Sequence, residues 1–156
     1  MSDDIRLKIK QTFEDSISVK EAILDRDLFN ILLEAGDVIA GSIADGGKLM
    51  ICGNGGSAAD AQHLAAEFII RLRPHINRSP IPALTLAQDT STLTACGNDY
   101  KFSEIFSRNL EALGKKNDIL IVISTSGNSK NIIEVLKKAK RLKIFSIGFL
   151  GNSGGK

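Results

Sequence analysis

The sequence predicts an α/β chain, a doubly wound parallel sheet preceded by two N-terminal helices. Three observations carry that expectation. The run Leu49-Met-Ile-Cys-Gly53-Asn-Gly55-Gly56-Ser57 passes from an apolar strand through glycines into an alanine-rich helical pattern. A second apolar, β-branched run, Asp118-Ile-Leu-Ile-Val-Ile123, breaks into Ser124-Thr-Ser-Gly127-Asn-Ser129 and then another helical stretch. A third, Lys143-Ile-Phe-Ser-Ile-Gly-Phe-Leu150, follows that helix. Strand, polar loop and helix repeating in this way build a sheet covered on both faces.

Residues 4–24 read as an amphipathic helix, with Ile5, Ile9, Phe13, Ile17 and Ala22 as a stripe amid charges. A second helix over 27–45 turns Leu28, Ile31, Leu32, Ala35, Val38, Ile39 and Ile43 inward, and Gly46-Gly47 stops it. Two helices ahead of the first strand bury little against a small sheet. They are expected to pack on another subunit, which makes the protein a homo-oligomer. After the strand ending at Gly53, Ser57 fits as N-cap and Asp60 as the other half of a capping box. Ala61, Leu64, Ala65 and Phe68 then form a stripe that can lie on the sheet. A polar connection with Arg71, Arg73, His75, Arg78, Pro80 and Pro82 leads to a short strand over 83–87. A brief helix over 90–96 is interrupted at Gly97-Asn98-Asp99-Tyr100. The next, over 102–113, carries Phe102, Ile105, Phe106 and Leu110 on one side. The strand over 118–123, the helix over 130–142 and the strand over 143–150 complete the pattern.

At 156 residues the chain supports one domain, 1–156, with a helical extension over about 1–46. A net charge of +2 is too weak to argue for nucleic acid or an anionic membrane. No apolar run approaches the roughly 20 residues of a membrane span, and the first residues show no signal peptide. Cys52 and Cys96 lie far apart with no CxxC spacing, so both read as buried thiols of a reducing cytoplasm. The closing Gly151-Asn-Ser-Gly-Gly-Lys156 reads as the opening of a further helix. The expectation is therefore a fragment, or a chain whose closing unit is absent.

Gly53, Gly55 and Gly56 let backbone N–H groups face the crevice where a helix begins, a geometry that suits an anion. Ser124, Thr125, Ser126 and Ser129 place four hydroxyls at the corresponding point of a neighbouring strand, where open α/β sheets bind ligands. The bland alternative is a polar loop with Asn128 or Ser129 merely capping its helix. Asp60, His63 and Glu67 share one helix face. His63 and Glu67, four residues apart, suit two metal ligands or an acid/base pair, and a solvated i,i+4 pair is the alternative. Arg71 can pair with Glu67 or reach an anion, and His75 reads as ordinary surface. Asn98 and Asp99 form a turn or hold sugar hydroxyls.

Taken together, Ile51-Cys-Gly-Asn-Gly-Gly-Ser57 with Asp60 and His63-x-x-x-Glu67, then Gly97-Asn-Asp99, Ile105-Phe-Ser107 and Ile123-Ser-Thr-Ser-Gly-Asn-Ser129, resemble the phosphoheptose isomerases. These are Rossmann-like sugar-isomerase (SIS) domain proteins. The resemblance implies conversion of sedoheptulose 7-phosphate to D-glycero-D-manno-heptose 7-phosphate through an enediol, for the heptose of bacterial surface polysaccharide such as lipopolysaccharide. It implies a cytoplasmic homotetramer whose N-terminal helices help form the assembly. It places Asn54, Gly55, Gly56, Ser57, Ser124, Thr125, Ser126 and Ser129 on the substrate, chiefly its phosphate, and Asn98 and Asp99 on the sugar. His63 and Glu67 match ligands of a zinc ion, and Glu67 matches the proposed base. The family continues with another strand and a closing helix that supply a Gln and a His, completing the zinc set and the second acid/base group.

Other readings are weighed beside this one. A non-catalytic adaptor that binds the replication initiator and a sugar-phosphate-sensing SIS domain both share the fold. Gly53-x-Gly55-x-x-Ala58 matches a loose dinucleotide fingerprint, but the acidic residue expected about 20 positions on is replaced by arginines. The terminal Gly151 to Lys156 run lacks the first glycine and the hydroxyl residue of a Walker loop.

Overall fold

The computed structural model describes residues 2–26, 28–87 and 89–155. Two compact units emerge, residues 1–37 and 38–156. The first holds α1 (Ser2–Asp25) and the start of α2 (Phe29–Ala44). The stripe expected on α1 is present and bare: Ile5, Ile9, Phe13 and Ile17 are all exposed, Phe13 by 68%. Exposed pairs such as Lys8–Asp4 at 2.8 Å line the same helix and stabilise it by a few tenths of a kcal/mol at most. On α2 the inward reading divides. Ile31 and Leu32 are exposed, whereas Val38, Ile39 and Ile43, which fall in the second unit, pack into its core. Asp27, the expected start of this helix, lies outside the described residues.

The second unit is a four-stranded parallel sheet of order β2-β1-β3-β4. Its elements run β1 (Leu49–Gly53), α3 (Gly56–Ile69), β2 (Ala83–Thr85), α4 (Thr90–Asp99), a 3-10 turn (Phe102–Glu104), α5 (Ile105–Leu113), β3 (Ile119–Ser124), α6 (Lys130–Leu142) and β4 (Phe145–Leu150). β1, and β3 as far as Ile123, carry no charged or hydroxyl side chain because both of their faces are covered. Met50, Cys52, Leu120 and Val122 pack with Phe106 and Leu110 of α5 and Ile132 and Val135 of α6. Leu49, Ile51, Ile119 and Ile121 meet Ala61 and Ala65 of α3 and the end of α2. That is the doubly wound arrangement. Among the described residues, no helix is long and apolar enough to cross a membrane.

Three local expectations are corrected. The helix expected to break at Gly97 continues to Asp99, because one interior glycine costs only about 1 kcal/mol and Asp89 secures its start by accepting a 2.6 Å bond from the Thr92 amide. The last strand begins at Phe145, since Lys143 takes the left-handed conformation that ends α6. β2 is only three residues long and stops at Thr85.

The base of the two central strands is tied by Asp118, whose side chain is fully buried. Its carboxylate accepts from the Lys48 amide at 3.0 Å, the Lys48 ammonium at 2.6 Å and the Lys115 amide at 2.8 Å. The Ile119 amide donates to the Lys48 carbonyl at 3.0 Å, closing the junction. Replacing Asp118 by Ala strands a partly buried ammonium and two amides. Urea denaturation is expected to show a loss of about 3 kcal/mol.

Candidate active site

From β1 the chain turns to β2 on one side of the sheet, while β3 lies on the other, so the carboxyl ends of β1 and β3 flank the switch in strand order. Gly53 stands opposite Ile123 in the register, which puts the two informative loops side by side. Gly53 is required by proximity, since a Cβ there would sit 2.5 Å from the Ser57 carbonyl oxygen. The first turn of α3 therefore rests directly on the end of β1. Gly55, at φ 57°, occupies the N-cap position of α3. Ser57 is thus not the N-cap, and no side chain caps this helix. The positive φ that aims the chain into α3 falls on Gly55, so the helix starts before the serine. The Ser57 amide donates to the Asn54 carbonyl and the Ala58 amide to the Gly55 carbonyl, both at 3.0 Å. This leaves the Ser57 hydroxyl available to a ligand.

The second loop supplies the facing wall. Ser129 holds the N-cap position of α6 without a side-chain cap bond, and its hydroxyl lies 3.4 Å from that of Ser124. A small cavity of about 50 Å³ is lined by Asn54, Ser57, Ile123, Ser124, Thr125 and Ser129. Asn54 is locked there by Asn131, each side-chain amide donating to the other's oxygen at 2.8 and 2.9 Å. Each amide nitrogen keeps a second N–H for a ligand. Of the expected residues, Asn54, Ser57, Ser124, Thr125 and Ser129 thereby line one polar nest, while Gly55 lines the neighbouring cavity and Gly56 lines neither. Ser126 lies outside the lining, its hydroxyl accepting from the Asn128 amide at 3.2 Å.

His63 and Glu67 follow on α3, roughly 10 and 16 Å along the axis from its first residue at 1.5 Å per residue. His63 Nε2 and Glu67 Oε1 are 3.4 Å apart, with the histidine largely exposed and the carboxylate mostly covered. That separation suits two ligands of one tetrahedral ion. Among the described residues no third histidine, cysteine or carboxylate joins them in a metal-binding group. Asp60 is exposed, as is His75. Asn98 and Asp99 are exposed at the end of α4, where the Asn98 amide donates to the Asp99 carboxylate at 2.7 Å, and they line neither cavity of this region. Arg71 forms no ion pair with Glu67 among the described residues.

Three features escaped the sequence reading. Asn131 is one, 77 residues from its partner. Arg78 is another, donating to the Glu67 carbonyl at 2.6 Å and the Phe68 carbonyl at 2.8 Å, where the last turn of α3 lacks helical donors. Its only signal was a cation shortly after a helix end. The third is a cavity of about 250 Å³ beside the Gly53–Gly55 turn, lined by Gln62, Thr85, Leu93 and Phe106 among others. Thr85 is buried and, among the described residues, its hydroxyl has no partner. Cys52 also lines this cavity, and burial pushes its thiol up to about 12, so it stays protonated and inert. Both cysteines are free and buried, as expected.

Comparison with known proteins follows the same lines. Residues 13–151 match the SIS domain family. The chain is 56% identical over 118 residues to the phosphoheptose isomerase of Desulfovibrio desulfuricans, an alignment covering 76% of this chain and 55% of that relative. It is 47% identical over 140 residues to the phosphoheptose isomerase of Chlorobaculum parvum, covering 90% and 66%. The chain thus spans between about half and two thirds of the length of these two relatives. Its fold is similar to that of the phosphoheptose isomerase GmhA from Neisseria gonorrhoeae, with a TM-score of 0.88 and 39% identity over 97% of this chain and 77% of the other.

Two substitutions test this geometry. Gly53→Ala forces the first turn of α3 off the strand and is expected to destabilise by about 1–3 kcal/mol while weakening binding of inorganic phosphate, measured by calorimetry. Thr85→Val exchanges an unpartnered hydroxyl for a methyl of the same shape. Its thermal midpoint without ligand is expected to rise, by the equivalent of about 1 kcal/mol.

Proposed function

This chain belongs to the SIS domain family, among the phosphoheptose isomerases, and from that premise we propose that it acts as an aldose–ketose isomerase. The substrate is sedoheptulose 7-phosphate and the product D-glycero-D-manno-heptose 7-phosphate, destined for a bacterial surface polysaccharide. The observation that carries this reading is the placement of a hydroxyl-lined oxyanion nest at one end of α3 and a covered carboxylate near the other.

In this reading the phosphate accepts hydrogen bonds from the hydroxyls of Ser57, Ser124 and Ser129, the free N–H of Asn54 and the Gly56 amide that opens α3. The nest is uncharged, so its affinity comes from oriented dipoles and the positive end of the helix. Anchoring the phosphate positions the other end of the sugar beside Glu67, which converts an improbable encounter into a held one. Glu67 takes the proton from C1 of the ketose. Electrons of that C–H bond form the C1–C2 double bond of the enediol as the C2 oxygen gains a proton. Return of the proton from Glu67 to C2, with loss of the proton on the C1 oxygen, yields the aldose. His63, one turn back and 3.4 Å away, steadies the carboxylate. His63 and Glu67 would also be two of the ligands of a zinc ion. A bound zinc would supply polarisation of the sugar oxygens.

We place the protein in the cytoplasm as a homo-oligomer, a tetramer by the family resemblance, with the bare stripe of α1 as an interface. Asn98 and Asp99 would then serve a sugar held by the assembled protein. Glu67→Gln keeps the shape and the nest but removes the base. Turnover followed by NMR is expected to fall at least about a hundredfold, with sedoheptulose 7-phosphate binding within a few fold. Undiminished turnover in that variant would rule out Glu67 as the base.

A further inference from the structure

Glu67 sits in the last turn of α3, two residues before the helix ends at Ile69. Final turns fray because their carbonyls have no helical donors, and a frayed turn carries its side chains with it. Here the carbonyls of Ala66, Glu67 and Phe68 are met. The Ala66 carbonyl accepts from the Ile70 amide at 2.8 Å, and that of Phe68 accepts from the Ile81 amide at 3.1 Å. The Glu67 carbonyl itself is held by Arg78 Nη2 at 2.6 Å, while Arg78 Nη1 spans the Phe68 carbonyl at 2.8 Å and the Ser79 carbonyl at 3.0 Å.

We propose that Arg78 is a positioning residue for the reaction, fixing Glu67 through its own backbone carbonyl. This rests on the isomerase reading above. The guanidinium is suited to the task. It is planar, permanently charged and able to bridge two successive carbonyls, and the negative end of the α3 dipole lies where the cation sits. Among the described residues it has no carboxylate partner, and two of its three bonds go to the end of this helix, the third to the neighbouring Ser79 carbonyl. Proton transfer demands that the carboxylate meet C1 and C2 within hydrogen-bonding reach, and a shift of about 1 Å can cost a hundredfold in rate. Losing Arg78 therefore impairs the chemistry while the phosphate nest, at the opposite end of α3, remains intact.

The test compares the purified wild-type protein with Arg78→Ala and Arg78→Lys. Each is assayed for isomerisation of sedoheptulose 7-phosphate and for binding of inorganic phosphate. Arg78→Ala is expected to lower kcat about a hundredfold, with KM and phosphate affinity within about threefold. Millimolar guanidinium ion should restore part of the lost rate, and Arg78→Lys, with one donor group instead of a fork, should fall between. A wild-type kcat in Arg78→Ala overturns the proposal. So does a loss of rate accompanied by lost phosphate binding that guanidinium does not repair, since that marks general damage. If the wild-type protein binds phosphate but turns over no sugar phosphate, the isomerase reading fails, and the role of Arg78 fails with it.

Discussion

Everything at the upper edge of the sheet depends on a junction at its lower edge. Asp118 joins the segments leading into β1 and β3 by taking the main-chain and side-chain donors of Lys48 together with the Lys115 amide. Side chains alternate along a strand, so a slip of one residue would turn every apolar group of β1 to the wrong face. It would also carry Gly53 away from Ile123, and the two loops would no longer face one another. A buried carboxylate is expensive to desolvate. It is tolerated here because three donors meet it, one of them an ammonium. Removing the carboxylate would leave those donors unpaired, which is where the cost of losing such a group lies.

The two loops are also cross-linked directly. The paired amides of Asn54 and Asn131 bind one loop to the helix that follows the other, and they do so before any ligand arrives. Preorganisation of this kind spares a bound anion the work of ordering its own site. The walls around it are tightly packed. Gly53 lies against Ser57, and Gly127, at φ 64°, lies against the backbone of Gly154.

Much of this was legible in the sequence, and the reasons differ by element. β1, β3 and α3 declared themselves because burial on both faces of a strand and on one face of a helix leaves periodic signatures. The nest was legible because glycines and hydroxyls at strand ends have few other uses when two such loops occur together. The start of α3 was misread, since capping statistics favour serine whereas local geometry favoured Gly55 with its positive φ. Asp118 with Lys48, Asn54 with Asn131 and Arg78 with Glu67 were invisible for one shared reason. Each joins residues that no local pattern relates, and single polar residues in loops carry no period.

The pinning of α3 at both ends has a consequence for which molecules the site can serve. One end is seated on Gly53, and the other is clasped by Arg78, so the helix between them behaves as a rigid bar. Its span is set by residue count, at 1.5 Å per residue, and cannot stretch to suit a guest. On the proposed reading, a phosphorylated sugar is gauged against that bar. A chain shorter by a carbon or two, anchored by the same phosphate, presents the wrong bond to Glu67. Selectivity for chain length would then reside in a distance and need no contact with the sugar's own hydroxyls.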